Sequence, residues 1–461
     1  MPSMGIPVDL APIMEDLNPW WREPGARKAL AWPVRRGAHS RLLEQLLRLD
    51  DRRAQVLLGP RQVGKTTLLK QLADDLLDRR WPARNLTYFD FEDFRLTREV
   101  KPEEIAELRP PGAVPDRPQI LLLDELHHVP RWDRWLKHAV DNQLGRIVAT
   151  DSAASLLREA GRESGLGRWD EILLEGLTLR EFAALNTRPR TADSPAAREG
   201  AAETVTAAAD PELVERYFAL GGFPAHAMSF DFPLVRERLR SDVVDRAIRR
   251  DLAGRVEDPE RVRKLFVYLV QQSGSEQNAS DRANDLGVDP RTVGRWTDLL
   301  EDTFLIAALP RGTTSTKASA QLRGRPKLYA ADHGLVNAFA EAPTRDPEVR
   351  SRVFEAVVTR HLREVARARG GRVADLRWGN ELELDFLLEV GEERVAVEVT
   401  QSIQPKAEKR KALERAADRA GAKRAILIHG GLAEGEVEGV VFVPIGSFLG
   451  RPEAALTGGG G

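Results

Sequence analysis

The chain contains no cysteine. Disulfides, thiolate zinc sites and a cysteine nucleophile are therefore excluded. Net charge is nearly absent as well: 69 Lys and Arg against 71 Asp and Glu leave −2 over 461 residues. No overall field announces a nucleic acid or a membrane, so attraction to a polyanion must come from a local patch. Nowhere does the sequence hold an uninterrupted apolar run of about 18 residues, the length a membrane helix needs. The opening segment has no Lys or Arg before Arg22 and already carries Asp9, Glu15 and Asp16. It lacks the basic start and apolar run of a signal peptide. These absences lead to the expectation of a soluble, cytoplasmic protein without a membrane partner. What is present, 42% hydrophobic and 30% charged residues, is the mixture of a globular protein. The length suggests about three domains.

Strand-like runs AQVLL, LTYFDFED, PQILLLDEL, GRIVATDS and WDEILLEGL alternate with helical patterns, beginning with helical spacing over 40–49. That alternation predicts an α/β fold with a parallel sheet covered by helices. Residues 1–32 read as an irregular arm whose Trp20, Trp21 and Trp32 pack on a domain body. Residues 186–210 hold almost no large apolar side chains and read as a flexible linker. Residues 211–256 are helical again, 257–330 read as helix, helix–turn–helix and a basic two-strand segment, and 331–455 contain a second α/β unit. The glycines of 456–461 read as a disordered tail.

Gly59-Pro60-Arg61-Gln62-Val63-Gly64-Lys65-Thr66, followed by Thr67, matches the G-x-x-x-x-G-K-[ST] spacing between a strand and a helix. Glycines let backbone N–H groups wrap a β-phosphate while the helix points its positive end at it. Lys65 would neutralise β/γ-phosphate oxygens, and Thr66 would offer a hydroxyl to Mg²⁺. ATP and Mg²⁺ are the cofactors this predicts. Asp124 and Glu125 end the strand ILLL; Asp124 suits Mg²⁺, and Glu125 suits a general base for the attacking water. His127 and His128 follow, with no further His or Cys at ligand spacing, so they read as structural or as neighbours of the nucleotide. Thr150, Asp151 and Ser152 close the next strand. One of them, Ser152 foremost, would touch the γ-phosphate or the water. Arg168, and after it Arg162, are candidates for an arginine supplied to a neighbouring subunit's site.

With LLLDEL, the strand ending TDS, the block EILLEGLTLREF, and later YFALGGFPAH, VVDRAIRRDL, RPKLYAADHGLVNA and FEAVVTRHL, the chain resembles AAA+-type P-loop ATPases whose C-terminal half is a conserved domain of unknown function. The resemblance runs from about residue 34 to 445. It implies a P-loop ATPase domain over 33–185, the 186–210 linker, a helical lid segment over 211–256, a winged-helix domain over 257–330 and a restriction-endonuclease-like PD-(D/E)XK fold over 331–455. It also implies a homo-oligomer, ring-like by AAA+ precedent. The chain departs from the family at Asp151-Ser152, where Gly-Ser is usual. A carboxylate there would repel a γ-phosphate, so Asp151 is expected to point away or to weaken hydrolysis.

In RWGNELELDFLLEVGEERVAVEVTQS the alternation predicts a hairpin turning at Gly391-Glu392, with Asp385 across from Glu398 and Glu355 available on the preceding helix. Three carboxylates at one sheet edge form a candidate nuclease-like Mg²⁺ site. The pattern asks for a lysine where Thr400 stands, which argues for a fold kept for binding or assembly rather than cleavage. Lys406 is the nearest basic residue in the next loop.

Within 279–302, Ala283, Leu286, Val288, Val293 and Leu299 suit a helix–turn–helix core, and Asp289-Pro290 suits the start of its second helix. Arg291 and Arg295 would face DNA there. From Phe304 to Ala331 there is no acidic residue, while Arg311, Lys317, Arg323, Arg325 and Lys327 are basic. That stretch suits a wing on DNA phosphates. The sequence thus predicts an ATPase coupled to DNA. The alternatives are a nucleotide-gated interaction or defence switch with slow turnover, and an ATP-dependent nuclease.

Overall fold

The computed structural model describes residues 10–23, 34–48, 52–107, 110–152, 167–187, 210–312, 325–343, 346–379 and 381–457. They fall into two units, one built mainly from the chain up to Glu175 and the other mainly from Gly176 onward. Most of the expected 186–210 linker lies outside the described residues.

The first unit is built on a parallel sheet of β1 (Ala54–Leu58), β2 (Leu86–Asp90), β3 (Ile120–Asp124), β4 (Arg146–Asp151) and β5 (Trp169–Leu173), in the order β2-β3-β4-β1-β5. β1 and β3 are buried along their whole length. Continuous burial is what a strand covered on both faces requires, and it explains the unbroken apolar runs in the sequence. Parallel pairing places every strand's carboxyl end at one edge, with Leu58 level with Asp151 and Asp90 level with Asp124. β4 stands between β1 and β3. The strand ending at Asp124 is therefore one position removed from the strand that enters the phosphate loop.

β2 is an edge strand, which would expose unpaired backbone groups. The arm covers it. After a helix Ala11–Leu17, the Asn18 side chain accepts from Tyr88 N at 2.7 Å and donates to Tyr88 O at 2.9 Å. The indole N–H groups of Trp20 and Trp21 donate to Leu86 O at 3.0 and 2.9 Å. Both tryptophans are buried and pack as the sequence suggests; Trp32 lies outside the described residues.

The second unit holds a small sheet of β6 (Ser275–Glu276), β7 (Ile306–Leu309) and β8 (Lys327–Ala330), and a mixed sheet in the order β13-β14-β12-β11-β10-β9. The latter comprises β9 (Arg372–Trp378), β10 (Leu382–Val390), β11 (Glu393–Thr400), β12 (Arg424–His429), β13 (Gly435–Val437) and β14 (Val440–Pro444). The α/β class is thus as expected. β10 and β11 form the expected antiparallel hairpin. Ahead of β7 lie the helices Ala279–Leu286 and Pro290–Asp302, joined through Gly287 at φ 65°. The Asp289 side chain accepts from Arg291 N at 2.7 Å and starts the second helix. Ala283, Val293 and Leu299 are buried, with Leu286 and Val288 packed beside them.

A buried carboxylate, Asp332, ties three sequence blocks of this unit together. It accepts from Gly222 N at 2.9 Å and from Gly334 N at 2.8 Å. A Cβ on Gly176 or Gly221 would lie 2.4 Å from its oxygens. Around it, Asn337 donates to Phe218 O at 2.6 Å and Arg360 to Gly176 O at 2.6 Å. The GGFP and ADHGLVNA blocks therefore have a structural role: backbone N–H groups solvate an acid that water cannot reach.

Candidate functional site

β1 delivers the chain into a loop only glycine can open. At Gly59 a Cβ would stand 2.2 Å from Leu174 O and 3.2 Å from a Val63 methyl. Gly64 at φ 98° then starts the helix Lys65–Asp78. Its unpaired N–H groups give the loop a positive end. Arg36 braces the turn, donating to Val63 O at 3.2 Å and Glu175 O at 2.8 Å. Arg61 lies 3.7 Å from Glu92, and Gln62 sits at φ 63°. Pro60 is buried, whereas Thr66 and Thr67 are partly open at the helix start.

Lys65 is buried and donates to Gly59 O at 2.9 Å and Pro60 O at 3.1 Å. Its Nζ is 3.9 Å from Glu125 Oε1. Burial disfavours the charged form of Glu125, but Lys65, His127 and Arg61 prevail and hold its carboxyl down at about 2. This carboxyl is therefore ionised at neutral pH. Glu125 sits at φ 51°, a left-handed conformation uncommon for a residue with a Cβ, which turns the chain sharply off β3.

Asp124 is buried, and that burial together with the Glu125 charge pushes its proton affinity up, against hydrogen bonds from Thr150, Thr66 and Tyr88. Thr150 Oγ1 donates to Asp124 Oδ1 at 2.6 Å and accepts from Glu125 N at 2.9 Å, and Tyr88 Oη donates to Asp124 Oδ2 at 2.9 Å. Thr150, on β4 directly beside the end of β3, thus fixes both acids. One carboxylate bonded to the Thr66 hydroxyl suits an ion that arrives with a nucleotide's phosphates. Among the described residues no group of three or more His, Cys, Asp or Glu side chains is set to hold a metal. His127 and His128 accordingly stack on each other, ring centroids 4.3 Å apart.

Asp151 is buried with Oδ1 3.3 Å from His127 Nδ1, and Ser152 is buried beside it with a hydroxyl that has no hydrogen-bond partner among the described residues. Arg168 stands at the opposite edge of the sheet: its carbonyl accepts from Ala54 N at the start of β1, and its Nε pairs with Asp141 at 2.9 Å. It cannot reach the loop of its own chain. Arg162 lies outside the described residues.

Residues 51–183 match the AAA domain family, and the glycine loop, buried Asp124 and adjacent Glu125 lie within that stretch.

The first unit is an AAA+-type P-loop domain.

Beyond this AAA domain, residues 211–346 match a domain of unknown function, DUF8612, and 350–448 match another, DUF4143. An uncharacterised protein of Haemophilus influenzae is 26% identical over 64% of this chain and 71% of its own length. One of Methanocaldococcus jannaschii is 23% identical over 77% and 76%. A RuvB variant structure from Thermotoga maritima aligns with 64% of this chain and 99% of its own at 17% identity, with a TM-score of 0.30.

In the second unit Asp385 and Glu398 meet across the hairpin and Glu355 is near enough for its charge to interact with Asp385, but the three do not form the metal-holding group that the sequence suggested. Asp385 N donates to Glu398 Oε1 at 3.1 Å, Val399 N donates to Asp385 Oδ2 at 3.0 Å, and Glu355 reaches within 2.7 Å of where a Cβ on Gly274 would stand. Burial and the charge of Asp385 push Glu355 up to about 7 and Glu398 up to about 8. Two lysines oppose this. Lys409 Nζ pairs with Glu398 at 2.9 Å and Lys327 Nζ with Glu383 at 2.7 Å. The cation beside this cluster is thus Lys409, one turn into the helix Ala407–Ala420, whereas Lys406 only precedes that helix.

Two basic side chains read as a phosphate-contacting wing are occupied inside the fold. Lys327 is buried on Glu383, and Arg311 pairs with Asp375 at 2.8 Å and with Glu276. This is a correction to the sequence reading: an apparent run of positive charge is neutralised by acids from distant strands. Arg291, Arg295 and Arg325 are exposed, Arg295 donating to Arg255 O at 2.7 Å. Lys317 and Arg323 lie outside the described residues.

Sequence reasoning missed Arg36, Tyr88 and Lys409. Nothing local marks the first two. For the third the sequence offers several lysines after Thr400, and only the helix Ala407–Ala420 decides that Lys409 reaches the acids.

Proposed function

We propose that this protein binds ATP with Mg²⁺ in its AAA domain and hydrolyses it. The observation that carries the reading is the pairing of Lys65 with Glu125 at 3.9 Å across a loop whose Gly59 admits no side chain. The N–H groups of Gly59 and of 61–67, together with Lys65, hold the phosphates, and Thr66 with Asp124 would hold the ion. When bound, that ion would neutralise phosphate charge. Glu125, ionised and fixed through its backbone by Thr150, orients and deprotonates the attacking water. Ser152, with an unsatisfied buried hydroxyl at the same sheet edge, is available to the γ-phosphate or the water. Arg168, at the far edge, serves only a second copy's site, and this favours a homo-oligomer. ATP turnover by the purified chain tests the reading: Lys65→Ala should lose nucleotide binding and turnover together.

Nucleotide state is coupled, in this reading, to DNA through the helices Ala279–Leu286 and Pro290–Asp302. The exposed Arg291, Arg295 and Arg325 supply the charge for the phosphates. Affinity should fall steeply with salt, and duplex or branched DNA should stimulate turnover. Indifference of both affinity and turnover to every DNA would favour a nucleotide-gated switch instead.

A nuclease reading of the second unit is favoured by one observation, the Lys409–Glu398 pair that supplies the cation Thr400 lacks. Mg²⁺-dependent cleavage that disappears in Asp385→Ala would establish it. A binding role is supported by the lysines that already neutralise the acids.

A further inference from the structure

The site leaves one buried group unassigned, the imidazole of His127. It lies in the 3-10 turn Leu126–His128 directly after Glu125. Its Nδ1 is 3.2 Å from Glu125 Oε2 and 3.3 Å from Asp151 Oδ1. The three side chains are 10%, 14% and 2% exposed, so water competes little for these contacts. As placed, neither Nδ1 nor Glu125 Oε2 completes a well-directed hydrogen bond among the described residues, but a hydrogen on Nδ1 and a small turn of the ring close one to Oε2 at this distance.

The two oxygens of Glu125 therefore face different partners. Oε2 is turned to His127, and Oε1 is turned to Lys65 at 3.9 Å. A carboxylate held by one oxygen cannot spin, and its second oxygen keeps one direction. Asp151 fixes the imidazole in turn. It ends β4 level with Leu58, directly before the phosphate loop. A bare negative charge at that place would repel an incoming γ-phosphate. Lying 3.3 Å from His127 Nδ1, the Asp151 carboxyl instead restricts the ring. The stacked ring of His128, tilted 34° at 4.3 Å, restricts rotation from another side.

We propose that His127, oriented by Asp151, is a positioning residue for hydrolysis that ties Glu125 Oε2 so that Oε1 is presented to the water attacking the nucleotide. The inference rests on Glu125 being the base.

The test is steady-state ATP hydrolysis and separate ATP binding by the full chain, with Glu125→Gln as reference. His127→Ala should lower kcat on the order of 10- to 100-fold, the usual cost of losing an orienting partner, with KM nearly unchanged. His127→Asn restores a donor where Nδ1 stood and should recover most of the loss. Asp151→Ala should lose less, and adding it to His127→Ala should cost nothing further, because both act through one contact. The proposal is overturned if His127→Ala turns over at the original rate or faster, if His127→Asn is as slow as His127→Ala, or if the two losses multiply. Should Glu125→Gln itself be fully active, the reading of the base fails as well. Should it be inactive while His127→Ala is unaffected, the assignment of His127 alone fails. His127→Asn preserves size and polarity and carries the test if His127→Ala does not fold.

Discussion

Replacing Gly59 with alanine adds a single methyl group at the narrowest point of the phosphate loop. The new carbon would lie 2.2 Å from Leu174 O and 3.2 Å from both Leu174 C and Val63 Cγ1. Leu174 cannot yield cheaply, since its N–H donates to Leu58 O at 2.7 Å at the end of the β1–β5 pairing. The loop must therefore move by roughly 1 Å to reach ordinary van der Waals contact. Overpacking of this kind costs about 1–3 kcal/mol, which the first unit can absorb without unfolding. A shift of about 1 Å in a phosphate-positioning group costs on the order of 10²-fold in function. Gly59→Ala should thus keep a cooperative thermal transition while ATP affinity, measured by titration calorimetry, drops by about two orders of magnitude. Unchanged affinity would refute the argument that this loop closes on phosphate through a glycine-only approach. A chain that fails to fold would show that Leu174 is more rigidly held than supposed, and Gly64→Ala, where the strain is one of φ, then separates the two effects.

Thr150→Val removes the hydroxyl that bridges Asp124 to Glu125 N and should slow turnover on the order of 10- to 100-fold while ATP still binds, as measured by steady-state hydrolysis beside calorimetry. Asp332→Ala strands the N–H groups of Gly222 and Gly334 and should cost about 2–6 kcal/mol in denaturant unfolding of the second unit, at about 1–3 kcal/mol per stranded donor. Glu355, raised from 4.5 to about 7, binds its proton more tightly when folded. Its contribution to stability is complete below pH about 4.5 and is lost as pH rises through about 7. Glu355→Gln should therefore gain thermal stability relative to the native chain between pH 5 and 8, by at most about 3 kcal/mol; an equal difference at both pH values would contradict the shift.

The phosphate loop was legible because its parts are contiguous: strand, glycines, Lys65, Thr66 and helix occupy one stretch of chain. Asp124 and Glu125 were legible for the same reason, as acids ending an apolar strand. Strand order was not. That β4 intervenes between β1 and β3, and that Thr150 consequently bridges two acids, depends on pairings between segments far apart in sequence. The hairpin Leu382–Thr400 could be read from alternation and its turn, and so could the approach of Asp385 to Glu398. Which lysine reaches that pair could not, because a helix swings Lys409 inward and leaves Lys406 at its start. The basic stretch after Phe304 misled for a related reason: Asp375, Glu276 and Glu383, which neutralise Arg311 and Lys327, come from other strands and loops. Charge counted along a chain does not say which charges meet across it.

Turnover of ATP by Glu125→Gln, compared with the unaltered chain at matched nucleotide occupancy, probes the central claim most directly. Glutamine keeps the size of the side chain and removes the base, so ATP should still bind while hydrolysis falls by at least about 10²-fold. Hydrolysis by Glu125→Gln at the native rate, or an unaltered chain that binds no ATP, would contradict the account.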